Sequence, residues 1–216
     1  MKPAEAERRA RFLLEARALG FRDLGLLRAM ERAPRALFLA QRYEDLAWRD
    51  LALPIPCGQS ATPPYAVAAM IEALEPRPEH RVLEIGVGTG YSTALLAQCA
   101  GEVVGLERAE PLAAEAAARL RALGLDNVDL RWADGLAPPP LGGKFDRILV
   151  GALLPPLGGP IDALLAPGGR IVGAGKNMDG GQFIALRDAR GERAGAAGRP
   201  AVRGFSALIP GLIRAI

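Results

Sequence analysis

Residues 81–97 read RVLEIGVGTGYSTALLA, and the turn at their centre decides the fold. The opening RVLEI is a short apolar run. It meets glycines at alternate positions, Gly86, Gly88 and Gly90, and these give way to a helical pattern, TGYSTALLA. An apolar run of this length that ends in glycine reads as a strand buried on both faces. Glycine permits positive φ and lets a ligand approach the main chain closely. A helix that begins in such a turn aims free N–H groups at whatever lies over it. A nicotinamide site would be spaced GxGxxG, with a third glycine where helix packs on strand. The spacing here is GxGxG, and Tyr91 stands where that packing glycine would be. A bare strand–helix turn has the same pattern, so the turn by itself places elements and not chemistry.

Working outward, EVVGLE (102–107), VDLRWAD (128–134), FDRILVGA (145–152) and RIVGAG (170–175) read as further strands, and QFIALRD (182–188) and the region near 205–209 as C-terminal ones. AVAAMIEAL (66–74), PLAAEAAARLRALG (111–124) and IDALLAPGG (161–169) read as helices. Apolar strands alternating with helices predict an α/β fold, a doubly wound, mostly parallel sheet covered on both faces. Residues 1–50, with Arg and Glu around Phe12, Leu13, Ala16 and Leu19, predict an N-terminal helical extension. LALPIP (51–56) reads as extended, because a residue before proline is pushed out of the α region. GQSATPPY (58–65) reads as a loop entering a helix. There Thr62 is either an N-cap, with Pro63 at the first helical position, or a hydroxyl facing a ligand. GERAGAAGRPAVRG (191–204) reads as a loop. The expectation is one domain: an extension over 1–50, a cofactor-binding core over 51–175 and C-terminal strands over 176–216.

Composition narrows the function classes. With 27 Lys and Arg against 24 Asp and Glu, the charges nearly balance, which argues against a dedicated nucleic-acid binder. No apolar run is long enough to span a bilayer, and the charged N-terminus has no secretory apolar region. Cys57 and Cys99 have no metal spacing and read as free thiols of a reducing compartment, so a cytoplasmic setting is expected. His80 is the only histidine. Its solitude excludes a His-rich metal centre and argues against a His-based triad. No metal is expected.

Three acids fall at the carboxyl ends of successive strands: Glu84, Glu107 and Asp134. Open α/β sheets bind ligands there, and the end of the second strand is where an acid meets ribose hydroxyls. Asp134, followed by Gly135, also reads as a turn-former.

LEIGVGTGYSTALLA, VVGLER, ADG, FDRILVGA and LAPGGRIV together resemble class I S-adenosylmethionine-dependent methyltransferases. With RAMERAPRALFL and AWRDLALPIPCGQSATPPYAVAAMIEAL added, the chain resembles the protein-L-isoaspartate O-methyltransferase family over residues 24–175. The resemblance implies S-adenosyl-L-methionine as cofactor and, as acceptor, the α-carboxylate of L-isoaspartyl residues in damaged proteins. It implies that Glu84, Gly86, Gly88 and Gly90 hold the methionine part, Glu107 the ribose, and Asp134 with Gly135 the adenine. Ser60 and Tyr65 fall at cofactor-side positions, and Thr62 matches the family's essential hydroxyl. The implied partner is an isoaspartyl protein or peptide, with no nucleic acid or membrane, met by a monomer.

The family's loop reads GQTISxP and this chain reads GQSATPP, departing at Ser60, Ala61, Thr62 and Pro63. In GALLPP (151–156), Leu153 and Leu154 are expected to reshape the acceptor pocket. Two alternatives therefore stand beside protein repair: a diverged relative that methylates another peptide or small-molecule carboxylate, and a cofactor-binding relative without catalysis.

Overall fold

The structure, a computed structural model, describes residues 3–194, 205 and 211–214. Two helices open the chain, α1 (Pro3–Ala18) and α2 (Leu24–Arg32). Asp23 caps α2, its carboxylate accepting the Leu26 N–H at 2.7 Å. Pro34 keeps Ala33 out of the helical region and ends α2 there. Two short 3₁₀ turns follow, Arg35–Phe38 and Gln41–Leu46. A small antiparallel hairpin comes next, β1 (Leu53–Ile55) against β2 (Gln59–Ala61), turning through Cys57 and Gly58 at φ 62° and 67°. The first part of GQSATPPY is thus a strand, not a loop. Helix α3 (Pro64–Leu74) starts from Pro63, with Pro64 at its first position and no side-chain cap. The N-cap reading of Thr62 is therefore wrong: the rigid Pro63–Pro64 pair sets the helix start one residue later.

The remaining elements are β3 (Arg81–Ile85), α4 (Tyr91–Ala97), β4 (Glu102–Glu107), α5 (Glu110–Ala122), β5 (Val128–Trp132), β6 (Phe145–Leu153), β7 (Leu165–Lys176), β8 (Gln182–Asp188) and β9 (Gly191–Ala194). The main sheet runs β5–β4–β3–β6–β7–β8–β9. Its first five strands are parallel, and β8 and β9 return antiparallel. The mostly parallel α/β sheet read from the sequence is the one observed. The helix expected over 161–169 is not: only Asp162–Leu164 turn, as 3₁₀, and Leu165 already starts β7. Pro160 and Pro167 leave too few residues between them for a stable helix. Of the C-terminal loop read over 191–204, residues 191–194 are β9 and the rest lies outside the described residues. So does the strand expected over 205–209, apart from Phe205.

Strand alternation divides the core between the two faces of the sheet. Val82, Val103, Leu149 and Val172 pack with α3, α4 and the N-terminal helices. Leu83, Val104, Ile148 and Ile171 point the other way, onto Leu141, Phe145 and Ile161. Among the described residues, no helix is long and apolar enough to cross a membrane.

The parallel register places the acids. Glu84 pairs with Gly105, so Glu107 lies two residues further along β4 on the same face, about 7 Å of strand rise. Beside them β3 and β6 come so close at their ends that a Cβ on Gly151 would sit 2.7 Å from the Gly86 carbonyl oxygen. That contact is backbone and cannot swing away. Gly151→Ala is expected to destabilise the fold by about 1–3 kcal/mol, read by calorimetry as a fall in Tm of roughly 2–12 °C.

Candidate active site

A cavity of about 390 Å³ opens at the carboxyl ends of β3, β4 and β6, within the roughly 300–1,000 Å³ usual for small-molecule sites. The glycine turn, the Ser60–Thr62 segment, Glu84, Glu107, Asp134 and Gly135 all line it. A wider cleft between α1 and residues 45–50 is walled by exposed charged side chains such as Arg8 and Asp45, paired at 2.7 Å, and holds no strand-end acid.

Glu84 is 1 % exposed. Its carboxylate accepts from the Ser92 and Thr93 hydroxyls in the first turn of α4. Burial raises its pKa to about 7; the two hydroxyls oppose the rise and the Glu107 charge adds to it. Glu107, also buried, accepts the Gly88 N–H on one oxygen and the Ala109 N–H on the other, both at 2.8 Å. One carboxylate thus fixes the glycine turn and the start of α5. Gly86 and Gly88 hold φ of 84° and 59°, open to glycine without strain. Gly90, expected among the cofactor residues, does not line the cavity. A Cβ there would lie 3.2 Å from the Ala116 Cβ on α5, so Gly90 serves the contact between α4 and α5.

Asp134 forms the turn that its sequence context allowed, accepting the Leu136 N–H at 2.9 Å. Its other oxygen accepts the Gly211 N–H at 2.6 Å. The Gly211–Arg214 segment is tied down further by Ile213 N–H to the Arg108 carbonyl and Glu110 N–H to the Ile213 carbonyl, each at 2.8 Å. Gly135 passes over Ile85, whose Cγ2 would lie 2.2 Å from any added Cβ. Phe205 completes the wall, its main chain held at both N–H and carbonyl by the Gln182 amide at 3.0 and 2.8 Å.

The Thr62 turn is built on a buried cation. The Arg35 guanidinium, 2 % exposed, donates to the Leu51, Thr62 and Ala61 carbonyls at 2.9, 3.1 and 3.4 Å and reaches those of Ala47 and Arg49. Burial lowers its pKa and the Asp50 charge opposes that. With Pro63 as the cap, Thr62 lines the cavity and its hydroxyl has no hydrogen-bond partner among the described residues. Arg35 and Tyr91, both cavity-lining, were missed by sequence reasoning. An arginine flanked by alanine and proline is an ordinary surface pattern, and its carbonyl partners lie 12 to 27 residues away.

Two expectations are overturned. Tyr65 does not line the cavity. Its hydroxyl lies 2.9 Å from the Phe12 carbonyl and 3.1 Å from the Glu15 carboxylate, and its ring stacks on Phe12 at 4.9 Å. As the second residue of α3 it points into the N-terminal helices, and burial there raises its pKa. Leu153 and Leu154 do not line the cavity either. Leu154 packs over Gly173 and bonds main chain to main chain with Ala174, leaving Gly151 and Ala152 as the wall.

Residues 8–194 match the family described as Protein-L-isoaspartate(D-aspartate) O-methyltransferase. A protein-L-isoaspartate O-methyltransferase of Rhodopseudomonas palustris (strain BisA53) is 42% identical over 181 residues, 83% of this chain and 84% of that one. One of Xanthobacter autotrophicus is 49% identical over 148 residues, 68% of this chain and 67% of that one. A Plasmodium falciparum structure of such an enzyme, in complex with S-adenosyl-L-homocysteine, shares the fold with TM-score 0.71 at 21% identity, covering 92% of this chain and 96% of its own. A second solved protein-L-isoaspartate O-methyltransferase reaches TM-score 0.77 at 22% identity, over 95% of this chain and 67% of its own.

The Glu84 environment has a measurable consequence. A carboxyl whose pKa is raised on folding stabilises the fold while protonated, and that contribution is lost as pH rises from the unfolded value, 4.5, through about 7. Glu84→Gln cannot titrate. The ligand-free variant is expected to gain on the wild type by about 3 kcal/mol between pH 4.5 and 8, levelling off above 7, in paired urea titrations across that range.

Proposed function

We propose that this chain, which belongs to the protein-L-isoaspartate(D-aspartate) O-methyltransferase family, transfers a methyl group from S-adenosylmethionine to the α-carboxylate of L-isoaspartyl residues in damaged proteins. The observation that carries this reading is one cavity lined both by the strand-end acids and by Thr62, whose hydroxyl has no partner among the described residues.

The residues present fit the cofactor. Glu107 keeps lone pairs on both oxygens after accepting one N–H on each, enough to accept from two ribose hydroxyls. The Asp134 carboxylate and the Gly135 main chain offer an acceptor and a donor to the adenine edge. Glu84 and the main chain at Gly86 and Gly88 line the end that would take the methionine. When bound, S-adenosylmethionine supplies an electrophilic methyl group on a sulfonium.

The chain has correspondingly little chemistry to add. An acceptor carboxylate, with a reference pKa near 4, is already ionised at neutral pH and needs no general base. The histidine fits this: His80 lies just before Arg81, at the amino end of β3, the end away from the cavity. The Thr62 hydroxyl donates to one acceptor oxygen and leaves the other aligned on the methyl group. Such alignment and the exclusion of water are the main sources of rate in a displacement of this kind. Arg35 sets the Thr62 main chain and places a positive charge behind the turn, where an anionic acceptor arrives. The resulting ester is activated for closure to a succinimide, which reopens in part as normal aspartate.

Labelled methyl transfer is to be measured on matched isoaspartyl and aspartyl peptides. Incorporation into the isoaspartyl peptide alone supports the reading; equal or no incorporation into both refutes it. Thr62→Val, which keeps the shape of the side chain and removes the hydroxyl, is expected to lower kcat by about 10- to 100-fold, the value of a hydrogen bond to a charged group, with cofactor affinity unchanged. Glu107→Ala is expected to do the reverse in a binding titration, weakening cofactor affinity by at least about tenfold.

A further inference from the structure

Helix α3 begins without a cap of its own. Pro63 stands at the N-cap position and makes no side-chain hydrogen bond, and the first amide hydrogens of a helix have no partner within it. Pro63 and Pro64 carry no N–H, so the first one after Thr62 belongs to Tyr65. Its acceptor comes from outside the helix. The Asp50 carboxylate, 15 residues earlier in the chain, takes the Tyr65 N–H at 3.2 Å. An anionic acceptor is also the favourable partner for the positive end of a helix. Asp50 thus supplies the cap that the proline pair cannot.

The turn that carries Asp50 is itself held by the arginine under Thr62. Arg35 donates to the carbonyls on both sides of Asp50, those of Arg49 at 3.4 Å and Leu51 at 2.9 Å. The Leu51 N–H, 2.9 Å from the Arg49 carbonyl, tightens the same turn. The guanidinium also takes the Thr62 carbonyl at 3.1 Å. A closed circuit of bonds results. It runs from Arg35 through the Asp50 turn to the Tyr65 N–H, and back through Pro64, Pro63 and the Thr62 carbonyl to Arg35. Because φ is fixed at both prolines, a displacement of Tyr65 is passed on to Thr62. Asp50 lines the wide cleft beside α1 and not the cavity, so it acts on the cavity only through this circuit.

We propose that Asp50 is a positioning residue for methyl transfer: by accepting the Tyr65 N–H it closes the circuit that fixes the Thr62 hydroxyl for the acceptor carboxylate. This rests on the methyltransferase reading. Asp50 touches neither cofactor nor acceptor, and its effect requires the Thr62 hydroxyl to be present. Its side chain is exposed, so water can take the Tyr65 N–H when the carboxylate is removed, and Asp50→Ala is expected to fold.

The test is a double-mutant cycle between positions 50 and 62, read as kcat on an isoaspartyl peptide. Asp50→Ala is expected to lower kcat by about 3- to 10-fold in the wild type and by less than about twofold in the Thr62→Val background. Asp50→Asn, which keeps an acceptor oxygen for the Tyr65 N–H, is expected to hold kcat within about twofold of wild type. S-adenosylhomocysteine affinity, measured by calorimetry, is expected to be the same in all of them. Independently of turnover, Asp50→Ala and not Asp50→Asn is expected to speed hydrogen exchange at the Tyr65 amide. Additive losses in the cycle overturn the proposal, because a merely structural role would not depend on the Thr62 hydroxyl. An unchanged kcat in Asp50→Ala, or equal losses in the Ala and Asn variants, overturns it as well. If wild type methylates neither the isoaspartyl nor the aspartyl peptide, the methyltransferase reading fails and takes this role in the reaction with it. The Tyr65 exchange still reports whether Asp50 holds the turn, and the two failures are thereby told apart.

Discussion

The Glu107 carboxylate bridges two turns at the end of β4. One oxygen takes the Gly88 N–H and the other the Ala109 N–H, so the loop after β3 and the start of α5 meet at the end of β4. Gly88 sits at positive φ and has no side chain of its own to anchor the turn. An ionised acceptor gives that N–H a stronger bond than a neutral one would. The rest of the cavity follows from this junction. Gly90 brings α4 against Ala116 of α5, α4 presents Ser92 and Thr93 to Glu84, and Tyr91 is turned inward between them. A residue that reads from sequence as a ribose ligand also builds the turn over which the ligand would lie.

At the other side of the cavity a buried cation does the same work for the Thr62 turn. Taking a guanidinium out of water is costly unless its donors are satisfied. Arg35 meets that demand with carbonyls from two separate stretches, 47–51 and 61–62. A lysine ammonium has three donors against the five of the planar guanidinium and could not gather this set. Holding those stretches on one side chain makes the Thr62 turn part of the N-terminal helical region and not a free loop. This holds Thr62 at the cavity wall beside the stiff Pro63–Pro64 pair. The departures from the family loop at Ser60, Ala61 and Pro63 therefore act on a turn whose carbonyls are already fixed.

Much of the site was legible along the chain because its chemistry is written at strand ends. The short apolar runs locate β3 to β6, each run stops at a glycine or an acid, and Glu84, Glu107, Asp134 and Gly135 all line the cavity as expected. The misreadings share a cause. Tyr65 is two residues from Pro63 and was read with the Thr62 loop, but in α3 it faces the other way, onto Phe12. Leu153 and Leu154 look like pocket walls and are packed over β7. Gly90 looks like a ligand-approach glycine and serves a helix contact. In each case the neighbour that decides the role lies far along the chain.

By itself the sequence determined the α/β class, the order of the core elements, the glycine turn, the acids at the strand ends and the family resemblance, because all of these depend on local periodicity and short motifs. Only the tertiary structure decided which side chains look into the cavity. Arg35 under Thr62, Phe38 edge-on to Tyr91, and Gly211 on the Asp134 carboxylate 77 residues away are contacts between segments that no local pattern connects. They form when packing of the sheet and the N-terminal helices brings those segments together. Burial then gives each polar group its meaning, since a hydroxyl or a guanidinium becomes informative only once water can no longer satisfy it.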